Sequence, residues 1–168
     1  MEKPLVNRVQ KSGIITINLE DYYPSEKLVE FDIKPLLFRE LLLKEKDFRI
    51  ALDDWDWTQY ADTIILIHCS NDAIIPMWAY QLIATHAYGQ VKDLFFGDLN
   101  QYLSHYYQLK LSNMDYREYL DKRVVIKGCG DKRIPETAFV EVTKGLLPFA
   151  KKIMYGEPCS MVPIYSKK

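Results

Sequence analysis

Apolar and polar positions along this chain fall into short blocks that predict alternating strands and helices. Thr63–Ile67 and Arg123–Ile126 are β-branched apolar runs bounded by turn residues, the pattern of strands buried in a parallel sheet. Each is followed by a polar turn, Ser70-Asn71-Asp72 or Gly130-Asp131, and then by a proline suited to the first turn of a helix. Pro76–Tyr88 is apolar almost all round and stops at Gly89, which predicts a buried helix with a glycine C-cap. Pro135–Leu147 is less clear, because Phe139–Thr143 alternates like a strand. Phe139, Val142 and Leu146 do fall at helical spacing, and Pro148 supplies a stop, so helix is the reading adopted. Val91–Phe96 before Gly97 and Ala150–Tyr155 before Gly156 are the closing strands of two βαβ units, whose strands should run parallel.

The two units are also similar residue by residue. A shift of 59 residues aligns Trp57–Asp98 with Tyr116–Glu157 without a gap. Tyr60 meets Tyr119, Asp62 meets Asp121, Ile75-Pro76 meets Ile134-Pro135, and Gly97 meets Gly156. Nine identities in 42 positions exceed the roughly two or three expected by chance, and they include Asp, Pro and Gly at punctuation points. This implies a duplicated βαβ unit, 57–98 and 116–157.

Around these units, Ile14–Leu19 alternates like a strand. Asp32 to Leu52 reads as a helix, with Asp32 at a cap and Pro35 in the first turn. Residues 99–115 form a tyrosine-rich connecting helix, and Met161–Tyr165 reads as a terminal edge strand or extended coil because of Pro163. The expected fold is α/β: a single three-layer domain over 1–168 with a mainly parallel sheet. It divides into 1–56 (N-terminal strand and helix), 57–98, 99–115 and 116–168 (second unit and tail).

Composition narrows the function classes. A chain of 168 residues with 48% apolar residues can bury a sizeable core. A net charge of −1, with no basic stripe, argues against nucleic acid as a partner. No apolar run approaches a membrane span, and the first residues lack the apolar stretch of a secretory signal. Three cysteines with no close pair suit a reducing cytoplasm.

Those cysteines carry the candidate chemistry. Cys69, Cys129 and Cys159 each lie just past the C-terminal end of an expected strand. In one parallel sheet these ends share an edge, the edge where ligands bind in open α/β folds. Cys69 and Cys129 would also precede helix N-termini, which favour a thiolate, and Gly128 and Gly130 would let backbone amides approach a bound group. Three converging thiolates suit zinc, iron or an iron–sulfur cluster. His105, Asp72, Asp131 or an exogenous group are the candidates for a fourth ligand. The rival readings are a metal-free thiol enzyme using Cys129 or Cys159, and an interaction protein with structural cysteines only. No glycine-rich nucleotide loop and no Gly-x-Ser-x-Gly elbow is present.

Three blocks carry a resemblance. Cys69-Ser70-x-Asp72-Ala73-Ile74-x-Pro76-x-Trp78-Ala79-Tyr80, Val125-Ile126-Lys127-Gly128-Cys129, and Met154-Tyr155-Gly156-Glu157-Pro158-Cys159-Ser160-x-Val162-Pro163 resemble an uncharacterised family of small bacterial proteins over nearly the whole chain. The resemblance implies a link to iron–sulfur assembly genes. It implies a role in cluster or sulfur handling beside iron–sulfur assembly proteins, carried on Cys69, Cys129 and Cys159.

Overall fold

The structure is a computed structural model that describes residues 13–128, 130–157 and 160–167. Among the described residues it contains four α-helices and two mainly parallel sheets. In order, the elements are β1 (Ile14–Asn18), β2 (Lys27–Asp32), α1 (Glu45–Asp53), β3 (Thr63–His68), α2 (Met77–Ala87), β4 (Asp93–Phe96), α3 (Leu99–Ser112), β5 (Arg123–Lys127), α4 (Glu136–Leu146), β6 (Lys152–Glu157) and β7 (Ser160–Ser166).

The chain divides into two compact units, Pro24–Tyr102 and a discontinuous one formed by the residues before and after it. The inserted unit carries a sheet of order β2-β3-β4, all parallel. The discontinuous unit carries β1-β5-β6 in parallel, closed by antiparallel β7. The expectation that the strands ending near Ile67, Ile126 and Tyr155 share one sheet is therefore corrected. The reason is strand supply. β2 hydrogen-bonds one side of β3, and β1 hydrogen-bonds one side of β5. With β4 and β6 on their other sides, both central strands are saturated.

The cause of that difference lies in residues 27–53. Lys27–Asp32, a stretch to which the sequence reading gives no element before the helix expected from Asp32, is strand, and Asp32 turns the chain by accepting the Lys34 amide at 3.0 Å. The expected helix over 32–52 is present only as α1. Between them Lys34–Leu36 forms a 3₁₀ turn and Phe38 pairs with Leu42 in a small hairpin. Elsewhere local patterning succeeds. Phe139–Thr143 is helical within α4, and β7 is an edge strand despite Pro163.

Each unit repeats one plan, and the repeat is longer than the identities reveal. At the same offset of 59, Phe48 and Leu52 of α1 correspond to Tyr107 and Leu111 of α3, and all four are fully buried. The Trp57 indole N–H donates to Leu52 O at 3.2 Å, as the Tyr116 hydroxyl donates to Leu111 O at 2.9 Å. Asp56 caps the Thr58 amide and Asp115 caps the Arg117 amide, both at 3.0 Å. Asp62 and Asp121 both adopt positive φ, 59° and 54°. The outer strands match as well. Ile17 lies opposite Ile126 and Phe31 opposite Ile67, and Leu19 and Ile33 are both buried one residue past the strand. Each unit is thus outer strand, helix, central strand, helix, strand.

The cores follow this plan. In the inserted unit Ile65 and Ile67 pack with Phe48, Leu52, Ala79 and Ile83, and Phe48 meets Trp78 edge-on at 6.2 Å. In the discontinuous unit Val124, Ile126 and Ile153 pack with Tyr107, Leu111, Ala138, Val142 and Leu146.

Candidate functional site

The C-terminal ends of β3 and β4 open into a pocket of about 600 Å³. His68, Cys69, Ser70, Asn71 and Asp72 line it from the end of β3, and Phe96, Gly97, Asp98 and Gln101 from the end of β4. Position follows from sequence. The apolar run stops at Ile67, so the chain leaves the sheet after His68 and the polar turn forms the wall.

Cys69 is half-buried, and its thiol donates to Asn71 Oδ1 at 3.0 Å. The same oxygen accepts the Ala73 amide at 3.2 Å, and Asn71 Nδ2 donates to Glu40 O. Asn71 is thereby fixed on three sides, and it fixes the thiol in turn. Behind the wall, one Asp32 oxygen accepts the amides of Ser70 and Lys34, both at 3.0 Å. Burial pushes the Asp32 carboxyl up, but the Ser70 hydroxyl, the two amides and the nearby His68 outweigh it and hold the group below its ordinary range. Burial, and then proximity to Cys69, raise the Tyr80 phenol. His68 Nε2 is buried without a hydrogen-bond partner.

The opposite wall is a helix entrance. Asp98 accepts the Gln101 amide and the Gln101 side chain accepts the Asp98 amide, both at 2.9 Å, a reciprocal capping box at the start of α3. Gly97 makes this closeness possible. Its φ is +138°, and a Cβ there would meet Gln101 Oε1 at 2.7 Å and Phe95 Cε1 at 2.8 Å. Among the described residues, two carboxylates, Asp72 and Asp98, line the pocket, and no lysine or arginine does.

The matching edge of the discontinuous unit is differently filled. Lys127 and Glu157, the counterparts of His68 and Asp98, face each other at 3.5 Å. Glu20 accepts the Gly130 amide, and Lys132 reaches Glu20 O at 3.0 Å. Gly130 was expected to let amides approach a bound group. The group that approaches is the chain's own Glu20 carboxylate, in space a Cβ would occupy.

Of the cysteines read from the sequence, Cys69 lines the pocket. Cys129 and Cys159 lie outside the described residues. The strands preceding them, β5 and β6, belong to a different sheet from β3, so the one-sheet argument for a shared rim of three thiols no longer applies. Among the described residues no group of three or more His, Cys, Asp or Glu is placed to hold a metal ion. Asp32, Asn71 and Gln101 were missed. The Asp98-x-x-Gln101 spacing is a capping-box signature that locates one wall. Asp32 carried a signal too, but it was read as a helix cap.

Fold and pocket together define an α/β protein of duplicated βαβαβ units with a thiol-lined pocket in one copy. The family described as "Protein of unknown function (DUF2480)" matches residues 3–167, and the chain belongs to it. Comparison with curated proteins and with solved structures finds no match. Among the described residues, no helix is long and apolar enough to cross a membrane.

Proposed function

We propose that this chain binds a small, positively charged molecule in the pocket at the ends of β3 and β4, with Cys69 as the group that reacts with it or coordinates it. One observation carries the reading: among the described residues, a half-buried thiol shares an open pocket with two carboxylates and no lysine or arginine. A reducing compartment suits a working thiol. Zinc, iron or a cluster held by Cys69, Cys129 and Cys159 is the competing reading, drawn from the sequence and the resemblance.

Charge-selective labelling tests the proposal. In a Cys129→Ser, Cys159→Ser background, Cys69 is treated with a cationic aminoethyl or an anionic sulfonatoethyl methanethiosulfonate. Each forms a mixed disulfide and releases methanesulfinate. Were each carboxylate ~8 Å from the incoming charge in a water-like dielectric, it would contribute roughly 0.5 kcal/mol, so two acids would favour the cation over the anion by about 2 kcal/mol. That is about 30-fold at low salt, relative to a free cysteine, and it shrinks as salt screens the charges. Asp72→Asn with Asp98→Asn should bring the ratio close to that of free cysteine. A wild-type ratio equal to that of free cysteine overturns the proposal. Stoichiometric zinc or iron in protein purified without oxygen, lost in Cys69→Ser, would instead support the metal reading.

A further inference from the structure

Beside the pocket, the inserted unit carries an exposed hairpin. In the hairpin after β2 the Phe38 amide donates to Leu42 O at 2.8 Å and the Leu42 amide returns to Phe38 O at 3.1 Å. Arg39 and Glu40 hold φ of 50° and 60° at its tip, a conformation usually left to Asn and Gly. The hairpin is pinned rather than loose. Asn71 Nδ2 donates to Glu40 O, Lys34 pairs with Glu40 at 3.2 Å, and Lys44 Nζ sits 3.3 Å from the centre of the Phe38 ring.

This rigid knob is apolar and uncovered: Phe38, Leu41 and Leu42 are 44%, 69% and 58% exposed. On the loop and elements ending at the pocket, Ile74, Met77 and Phe96 are 90%, 76% and 66% exposed. Six large apolar side chains along one edge mark an interaction surface more than an ordinary monomer surface. The charges on this edge say what covers it. Among the described residues, Arg39 and Lys44 engage the Phe38 ring and no acid, and Asp72 and Asp98 line the hollow beside them without an ion pair. A cationic knob next to an acidic hollow is self-complementary under a two-fold axis, because each copy then sets its knob against the other's hollow. An anionic lipid surface fits less well, since Asp72 and Asp98 would face it.

We infer that this edge is the interface of an isologous dimer, with Phe38, Leu41 and Leu42 at its centre and Arg39 of each copy facing Asp72 and Asp98 of the other. Dimerisation and a cationic ligand then compete for the same two carboxylates, so the Cys69 labelling ratio is read on dilute monomer. Sedimentation equilibrium from about 1 to about 200 µM tests it. The wild-type mass should rise with concentration towards twice 19.8 kDa. Leu41→Asp should raise the dimer dissociation constant at least tenfold, with the melting temperature of the monomer, read well below that constant, unchanged because Leu41 is exposed there. Arg39→Asp should weaken the dimer, and the swap Arg39→Asp with Asp72→Arg should recover part of the loss. A wild-type chain that stays at 19.8 kDa throughout overturns the inference. So does a dimer indifferent to both Leu41→Asp and Arg39→Asp, which would place the contact elsewhere.

Discussion

Replacing Gly145 with alanine should destabilise this protein, although alanine is the better helix former. Gly145 lies near the C-terminal end of α4. A Cβ built there would run into the Tyr116 ring, meeting Cε2 and Cζ and lying 2.7 Å from Cδ2. The ring has little room to retreat. It is 7% exposed, and its hydroxyl holds Leu111 O at 2.9 Å. Helix propensity favours alanine by about 1 kcal/mol. Overpacking a tight core site costs about 1–3 kcal/mol, and displacing the ring forfeits a buried hydrogen bond worth about 1 kcal/mol. The net is a loss of about 1–3 kcal/mol, or roughly 3–9 °C in melting temperature for a chain of this size. Thermal and urea unfolding of Gly145→Ala, Tyr116→Ala and the double variant form a cycle with about 2–4 kcal/mol of coupling. In the Tyr116→Ala background the alanine should be neutral or stabilising. A Gly145→Ala protein as stable as wild type, or a cost that persists without Tyr116, would refute the reasoning.

Two further predictions concern pH. Burial holds the Tyr107, Tyr116 and Tyr119 phenols above their ordinary range, Tyr116 to about 12. The folded chain therefore keeps protons that the unfolded chain sheds above about pH 10, so stability should fall there by up to about 1.4 kcal/mol per pH unit per tyrosine. Urea midpoints between pH 9 and 11 should show this, with a shallower slope in Tyr116→Phe; equal slopes would count against it. Asp32 has the opposite sign. Its carboxyl is depressed on folding, so its stabilisation is full above the ordinary carboxylate range and is lost as pH falls through the lower folded value. Asp32→Asn should cost about 1 kcal/mol at pH 7, and the gap should close as the carboxylate protonates in acid. An equal gap at acid pH would show that the charge is not the source.

Much of the local structure was legible. Thr63–Ile67, Pro76–Tyr88 and Arg123–Ile126 formed the expected elements because their apolar periodicity is set within a few residues. The duplication was visible through Asp62, Asp121, Gly97 and Gly156, which need particular backbone conformations and so tolerate little change. It faded at Phe48 and Tyr107, where a buried position asks only for a large ring, and identity disappears while burial is kept.

What the chain's order could not decide was partnership. Asp32 followed by Pro35 reads locally as the start of a helix, and it is pairing with the open side of β3 that makes Lys27–Asp32 a strand. Once β2 and β1 each take a central strand, two sheets form instead of one, and Cys69 is separated by sheet from the strands that lead to Cys129 and Cys159. The pocket shows the same division. That Cys69 ends a strand was readable from Ile67 and the polar turn, but its lock on Asn71 depends on Glu40, and the loop's anchorage on Asp32 spans 38 residues. Periodicity and turn chemistry act between neighbours and are written in the sequence. Strand partners and pocket walls depend on which distant backbone groups still need a hydrogen bond, and that is settled only when the whole chain has folded.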